Sequence, residues 1–323
     1  MTFPLPLRLT NVGDTTWLNG PGQGKGTVQI GVQHLGAEKR WLMTAGGRTD
    51  PLRVAAILRQ DMPNVYFALT EEFNSEGLIA LLASGQAVVF YRIALMSKDG
   101  DWVLRETAGA CRRVRSVLAD HGARYRPGAP LDPRWLAGGW SSHFEFFDEK
   151  KRRIRCDFVS RPPRIAPGDL DAMFAAARGD GRLRVVDPQR LIRLKQTQRA
   201  KDYPVIGELS RLLPPEIELR WTTDPDRIME LSSPLGQGSP RASVRAARDG
   251  LSREVVVMEL AREIDRMQRE DRDRMRRYEA AARPYLEEFR TRIREDAPLE
   301  EGHGVAVSVA ERLLPPTLDE GGS

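Results

Sequence analysis

Two carboxylates one residue apart stand out in the chain, Asp99 and Asp101 in Ser97-Lys98-Asp99-Gly100-Asp101-Trp102, followed by Val103-Leu104. If that run is a strand, side chains i and i+2 share a face, so both carboxylates project together. Carboxylates so placed repel unless a cation lies between them, and an oxygen-rich pair suits Mg²⁺. Upstream, the apolar run 78–82 feeds the small-residue turn Ser84-Gly85-Gln86-Ala87. A turn of this kind that opens a helix can take phosphate on its free backbone N–H groups. Together the two halves suggest a site for a nucleotide and a metal.

Further along, Asp157 sits between Cys156 and Phe158 in an apolar, strand-like run. A carboxylate there is costly to bury unless paired or metal-bound. Arg155 or Arg161 is the bland partner. Past Asp187-Pro188 the pattern reads as one helix over 189–202, with Lys195, Arg199 and Asp202 along one side at i, i+4 and i+7. An ordinary solvated face is the competing reading of that stripe, and a surface turn is the competing reading of Asp99-Gly-Asp. Ser141-Ser142-His143 invites a Ser–His nucleophile, but no positioned acid is visible in the sequence, so His143 reads as a strand or loop residue. His34, His121 and His303 lack metal-ligand spacing. Trp102, Trp135 and Trp140 read as core aromatics rather than base-stacking platforms.

These residues need a scaffold to position them. The chain has 323 residues, 41% hydrophobic and 29% charged, which fits a globular protein with a real core. It contains no apolar run long enough for a membrane span and no leader-like start, so a cytoplasmic protein is expected. Cys111 and Cys156 are too few for a disulfide framework or a zinc cluster. The net charge of +5 mildly favours anionic ligands.

Residues 1–47 read as a β-rich accessory segment with alternating strands around Leu5–Leu9 and Val28–Val32. The connection Asn19-Gly-Pro-Gly-Gln-Gly-Lys-Gly-Thr27 is not a P-loop, because Gly26 follows Lys25 and a strand comes next. Asp50-Pro51 marks a helix start, and Val65–Asn74 reads as a second helix. A helix is expected over 107–121, stopped by Gly122, and loop over 127–140. His143–Phe147 and Arg153–Val159 alternate as an antiparallel pair, and Arg184–Val186 reads as a short strand. From 204 onward the chain reads as helical, with a loop at 232–241. A long helix follows Ser252, its apolar seam on Val257, Leu260, Ile264 and Met267, packing on the core or on a second copy. Its 12 arginines against 10 acids between 253 and 294 read as an ion-paired, solvated face, and Pro284 is expected to kink or restart it.

Taken in order, the run from Leu78 to Leu104, then Cys156-Asp157-Phe158, then Leu191 to Asp202 resembles the nucleotidyltransferase fold of the DNA polymerase β type. The stretch Lys195 to Asp202 is similar to that of small bacterial toxin-type and uncharacterised members, and the resemblance covers about residues 65–215. Ser97-Lys98-Asp99-Gly100-Asp101 is similar to the family's Thr-x-Asp-x-Asp element. Two positions depart from the pattern: Ser84 replaces the first glycine of the turn, and Gly100 stands where an apolar residue is usual. The departures bear on activity rather than on fold. The implied architecture is α+β: a mixed sheet with flanking helices over 50–215, the β-rich segment before it, and a helical region over 216–323.

The resemblance further implies an enzyme that moves an NMP group from an NTP to a hydroxyl through a two-metal Mg²⁺ site. Ser84 and Gly85 would face the phosphates. Asp99 and Asp101 would hold Mg²⁺, and Asp157 would complete a second site and take the acceptor's proton. Lys195 or Lys201 would neutralise the pyrophosphate with Arg199 as helper, and Asp202 would orient the lysines. Seven Lys/Arg against one acid over 150–164, and again over 182–201, would give a basic rim suited to a nucleotide and to an RNA acceptor. The alternatives are an inactive binding module on the same fold, or a protein-interaction chain built on the N-terminal segment and the long helix.

Overall fold

The computed structural model describes residues 64–94, 96–294 and 296–318. The expected N-terminal strands and the helix after Asp50 lie outside the described residues. The order of elements begins with α1 (Val65–Phe73), β1 (Ala80–Ala83), α2 (Ser84–Phe90), β2 (Gly100–Leu104), α3 (Ala108–Asp120), β3 (Arg124–Tyr125), α4 (Pro133–Ala137), β4 (Ser142–Phe147) and β5 (Arg153–Val159). After these come α5 (Leu170–Ala175), α6 (Pro188–Lys195), α7 (Asp202–Ser210), α8 (Pro215–Trp221), α9 (Pro225–Leu235), α10 (Ala242–Arg248), α11 (Arg253–Arg292) and α12 (Leu299–Leu313). The fold class is α+β, as expected.

The strands form one mixed five-stranded sheet in the order β1-β2-β5-β4-β3, with β2 and β5 parallel and the other neighbours antiparallel. The 184–186 segment extends the β1 edge through backbone bonds between Leu82 and both Arg184 and Val186. Strand periodicity separates two faces of this sheet. One face carries Trp102, Phe144, Phe146, Ile154, Cys156 and Phe158, all buried. Phe73 of α1 packs edge-on against Trp102 and Phe158, which stack on each other with ring centroids 5.2 Å apart. The Trp102 indole N–H donates to Thr70 Oγ1, so even the polar edge of this aromatic core is satisfied. Trp135 and Trp140 are buried as well, and both cysteines are buried and free.

Gly100 belongs to this apolar face. A Cβ placed there would come within 2.4 Å of the Trp102 ring and 2.5 Å of the Tyr66 ring. The apolar side chain usual at this position is thus supplied by two neighbouring aromatics.

Local signals set most helix boundaries. Asn64 caps α1, Thr107 caps α3, and Asp187 caps α6 ahead of Pro188 at its first turn. Four expectations are corrected. The helix that starts at Pro188 ends at Lys195, and a turn separates it from α7 at Asp202, so Lys195, Arg199 and Asp202 do not share one helix face. Residues 232–235 belong to α9, which contains Pro234, leaving loop only from 236. The 127–140 loop holds the short helix α4. The seam of α11 uses buried Val256 in place of Val257, which is 39% exposed, and the helix continues through Pro284. Leu260 joins Leu219, Ile228, Leu231, Val244, Ala246 and Val256 in a second, smaller apolar core, while Tyr285 and Phe289 pack into the main one. No helix among the described residues is long and apolar enough to cross a membrane.

Candidate active site

The opposite face of the sheet carries Asp101, His143, Glu145, Arg153, Arg155 and Asp157 beside buried Leu81 and Val103, and one register row crosses it. Ala83 is opposite Asp101, Asp101 lies beside Asp157, and Asp157 is opposite His143. Neighbouring strands lie about 4.8 Å apart, so the row runs from the β1–α2 turn through two carboxylates to an imidazole over roughly 14 Å. Asp101 and Asp157 therefore share one face of the sheet.

At the β1 end, Ser84 opens α2 with φ +47°, in the left-handed region that suits glycine. Its hydroxyl is close enough to the Asp101 carboxyl to favour the charged form. Gly85 follows under tight packing, since a Cβ there would lie 2.2 Å from Ser97 Oγ. The serine that replaces glycine thus accepts a backbone cost of about 1–2 kcal/mol and gains a polar contact with the central carboxylate. These two effects can be separated. Ser84→Gly removes strain and hydroxyl together, whereas Ser84→Ala removes only the hydroxyl. In urea unfolding at neutral pH, Ser84→Gly is expected to be the more stable of the two by about 1 kcal/mol. Equal stabilities would mean that the positive φ carries no cost.

Asp101 has its carboxyl pushed up to about 6, first by burial and then by the Asp157 charge, against the lowering effects of the Ser84 hydroxyl and the Lys195 charge. Asp157 has other neighbours than those expected. Arg155 instead pairs with Asp99 at 3.3 Å, and Arg161 pairs with Glu106 at 2.7 Å. The partners of Asp157 are Arg126 Nη1 at 3.2 Å and His143 Nδ1 at 2.8 Å, both against Oδ1. The imidazole approach is off line, so it makes a close polar contact and no aligned hydrogen bond. Nε2 of the same ring lies 3.0 Å from Ser141 Oγ, and that oxygen lies 2.9 Å from the Tyr278 hydroxyl on α11. Burial pushes the Tyr278 phenol up. The ring of His143 is pressed against Gly128, where a Cβ would come within 2.3 Å of it. The acid that the sequence lacked beside Ser141 and His143 is therefore Asp157, brought there by the β4–β5 register.

The Lys195 ammonium lies 3.1 Å from Asp202 Oδ1, and both side chains are less than a tenth exposed. Asp202 also accepts from Thr197 Oγ1 at 2.7 Å and Arg199 Nε at 2.8 Å. Burial alone would raise this carboxyl, but Lys195, Thr197 and Arg199 together hold it below the usual range. Asp202 is thus the anchor of Lys195, whose charge reaches the Asp101 carboxyl. Lys201 is exposed and forms no ion pair among the described residues. The 196–201 turn is held from α11 too, since the Gln198 N–H donates to Asp271 at 2.8 Å.

The basic rim is largely consumed internally. Arg152, Arg153, Arg155, Arg161 and Arg164 pair with Asp148, Glu145, Asp99, Glu106 and Glu270. Among the described residues no three His, Cys, Asp or Glu side chains are gathered as a ready-made metal site. The adjacent pair Asp101 and Asp157 still fits a cation, because a positive charge between them would remove the repulsion that raises Asp101. Asp99, just before β2, pairs with Arg155, and the two side chains are 41% and 36% exposed. Such pairs are worth about 0–1 kcal/mol and yield readily to a divalent ion.

No protein-family profile matches the chain, and no curated protein sequence does. Two crystal structures resemble it distantly. JHP933 from Helicobacter pylori is 12% identical, with 69% of this chain and 97% of that protein covered and a TM-score of 0.35. An H. pylori protein described as a candidate nucleotidyltransferase is also 12% identical, with 67% and 97% covered and a TM-score of 0.34. At these values the likeness carries no argument about activity.

Proposed function

We propose that the chain is a Mg²⁺-dependent nucleotidyltransferase that moves an NMP group from an NTP to a hydroxyl. The observation that carries this reading is the row Ala83–Asp101–Asp157, which sets two neighbouring carboxylates beside the helix turn that Ser84 opens. Ser84 and Gly85 would offer backbone N–H groups to the phosphates. Asp99 and Asp101 would hold one Mg²⁺, and Asp157 would complete a second site. The ions, when bound, would stabilise the attacking and leaving oxygens of an in-line displacement at the α-phosphorus. Lys195, steadied by Asp202, would neutralise charge on the departing pyrophosphate, with Arg199 and Lys201 at the outer edge. Asp157 lies on the far side of Asp101 from the phosphate turn, which makes β5 and β4 the acceptor side. RNA is one acceptor such a site would admit.

A second reading is favoured by a specific observation: Asp99 and Asp157 already have protein cations against them. On that reading the fold is kept as a metal-free binding module. Calorimetry with NTP in the presence and absence of Mg²⁺, combined with a pyrophosphate-release assay, separates the two. Mg²⁺-dependent binding with release supports the transferase. Binding that ignores Mg²⁺, with no release, supports the module.

A further inference from the structure

We infer that Ser141 is itself a nucleotide acceptor, so that the protein modifies the residue that leads into its own β4 strand. The inference rests on the transferase reading above and names an acceptor for it. Three groups stand in the relation that activates a hydroxyl: Ser141 Oγ lies 3.0 Å from His143 Nε2, and His143 Nδ1 lies 2.8 Å from Asp157 Oδ1. The Asp157 contact, though off line, fixes which edge of the ring faces the carboxylate and turns Nε2 toward the serine. The imidazole is held in place from the side by Gly128, whose carbonyl accepts from the Tyr285 hydroxyl at 2.8 Å. The Tyr278 hydroxyl hydrogen-bonds Ser141 Oγ at 2.9 Å from the other side and holds the serine side chain in place.

The same three residue types also serve acyl transfer, but an oxyanion needs nearby N–H donors. The backbone N–H of Ser141 is already directed at the Tyr278 hydroxyl at 3.3 Å. The neighbouring positions of the row offer carboxylates instead, which suit a cation-bound phosphate. Phosphoryl chemistry is therefore the class that fits.

In the step, Ser141 Oγ attacks the α-phosphorus and an Oγ–P bond forms. The bond from that phosphorus to the bridging oxygen breaks, and pyrophosphate leaves with the electron pair. The Ser141 proton passes to His143 Nε2 and from there to solvent. Atoms and charge balance with NTP as the only co-reactant.

The test uses the full chain, incubated with Mg²⁺ and each of the four common NTPs in turn, followed by intact-mass and peptide mass spectrometry. The expected result is a gain of one nucleotidyl group on the peptide carrying Ser141. It should be absent from Ser141→Ala and retained in Ser141→Thr, with circular dichroism showing that both variants fold. A label on another residue, or one that persists in Ser141→Ala, overturns the inference. So does an unlabelled protein that transfers nucleotide to added RNA or small hydroxyl acceptors, and in that case the transferase reading stands. An unlabelled protein that neither binds NTP nor releases pyrophosphate overturns both.

Discussion

Asp101→Asn is expected to abolish nucleotide transfer while making the metal-free protein more stable. The two effects share one cause. Burial and the neighbouring Asp157 push the Asp101 carboxyl from 3.8 to about 6, so the charged form at neutral pH is held against its preference. Two pH units correspond to about 3 kcal/mol, an upper figure because the residue keeps some solvent contact. The folded protein holds this proton more tightly than the unfolded chain does. The contribution is therefore most favourable below about pH 4, falls as pH rises to about 6, and stays low above that. An amide of the same shape removes the penalty, although its contact with Ser84 is weaker. A net gain of about 2 kcal/mol, or roughly 5 °C in melting temperature, is expected at pH 7.5. Transfer should fall by about a thousandfold or more, the order expected when several kcal/mol of metal-mediated stabilisation are removed. Thermal scans from pH 4 to 8, with and without Mg²⁺, check the argument. Wild type should gain stability from Mg²⁺ at pH 7.5 and lose most of that gain at pH 4.5, while the variant should gain little at either. An Asp101→Asn protein no more stable than wild type would remove the electrostatic basis of the site.

The parts of this site that follow from local pattern were legible in the chain. The small-residue turn after an apolar run, the Asp-x-Asp spacing, and the alternation that puts Asp157 on the other face from Cys156 and Phe158 all depend on residues close in sequence. The partners of Asp157 were not legible, because Arg126 and His143 reach it through strand pairing fixed far from the motif. For the same reason Ser141–His143 lacked its acid until the register placed Asp157 opposite. Tyr278 was hidden further still, within a helix whose composition reads as a solvated face. Gly100 reads as a defect in the strand until Tyr66 and Trp102 are seen to occupy its side-chain space. The end of α6 is a tertiary effect too. Gln-Thr-Gln-Arg-Ala-Lys over 196–201 contains no strong helix breaker. There Thr197 and Asp202 bond each other, and Asp271 takes the Gln198 N–H, an alternative that helix propensity does not anticipate.

That turn yields the other large expected effect. Lys195→Met should destabilise the protein by about 3–5 kcal/mol, the range seen when one partner of a buried ion pair is removed. Asp202 would remain buried with its main charge partner gone. Thr197 and the roughly half-exposed Arg199 compensate only in part, since Arg199 is 47% exposed. Asp101 would also lose a neighbouring positive charge, so its carboxyl should rise further above about 6. Asp202 contributes stability at pH values above its unfolded value of 3.8, and that contribution is lost as pH falls through its lowered folded value. In the Lys195→Met protein this acid limb should move to higher pH, because the folded Asp202 no longer resists protonation. The double variant Lys195→Met, Asp202→Leu separates the charge from the packing. Replacing a buried pair by apolar groups of similar volume is often neutral, so most of the lost stability should return in urea unfolding. Transfer activity should not return with it, because the pyrophosphate would still lack its cation. Recovery of both would make Lys195 a purely structural residue. Recovery of neither would mean that Met and Leu do not pack in the space the ion pair fills.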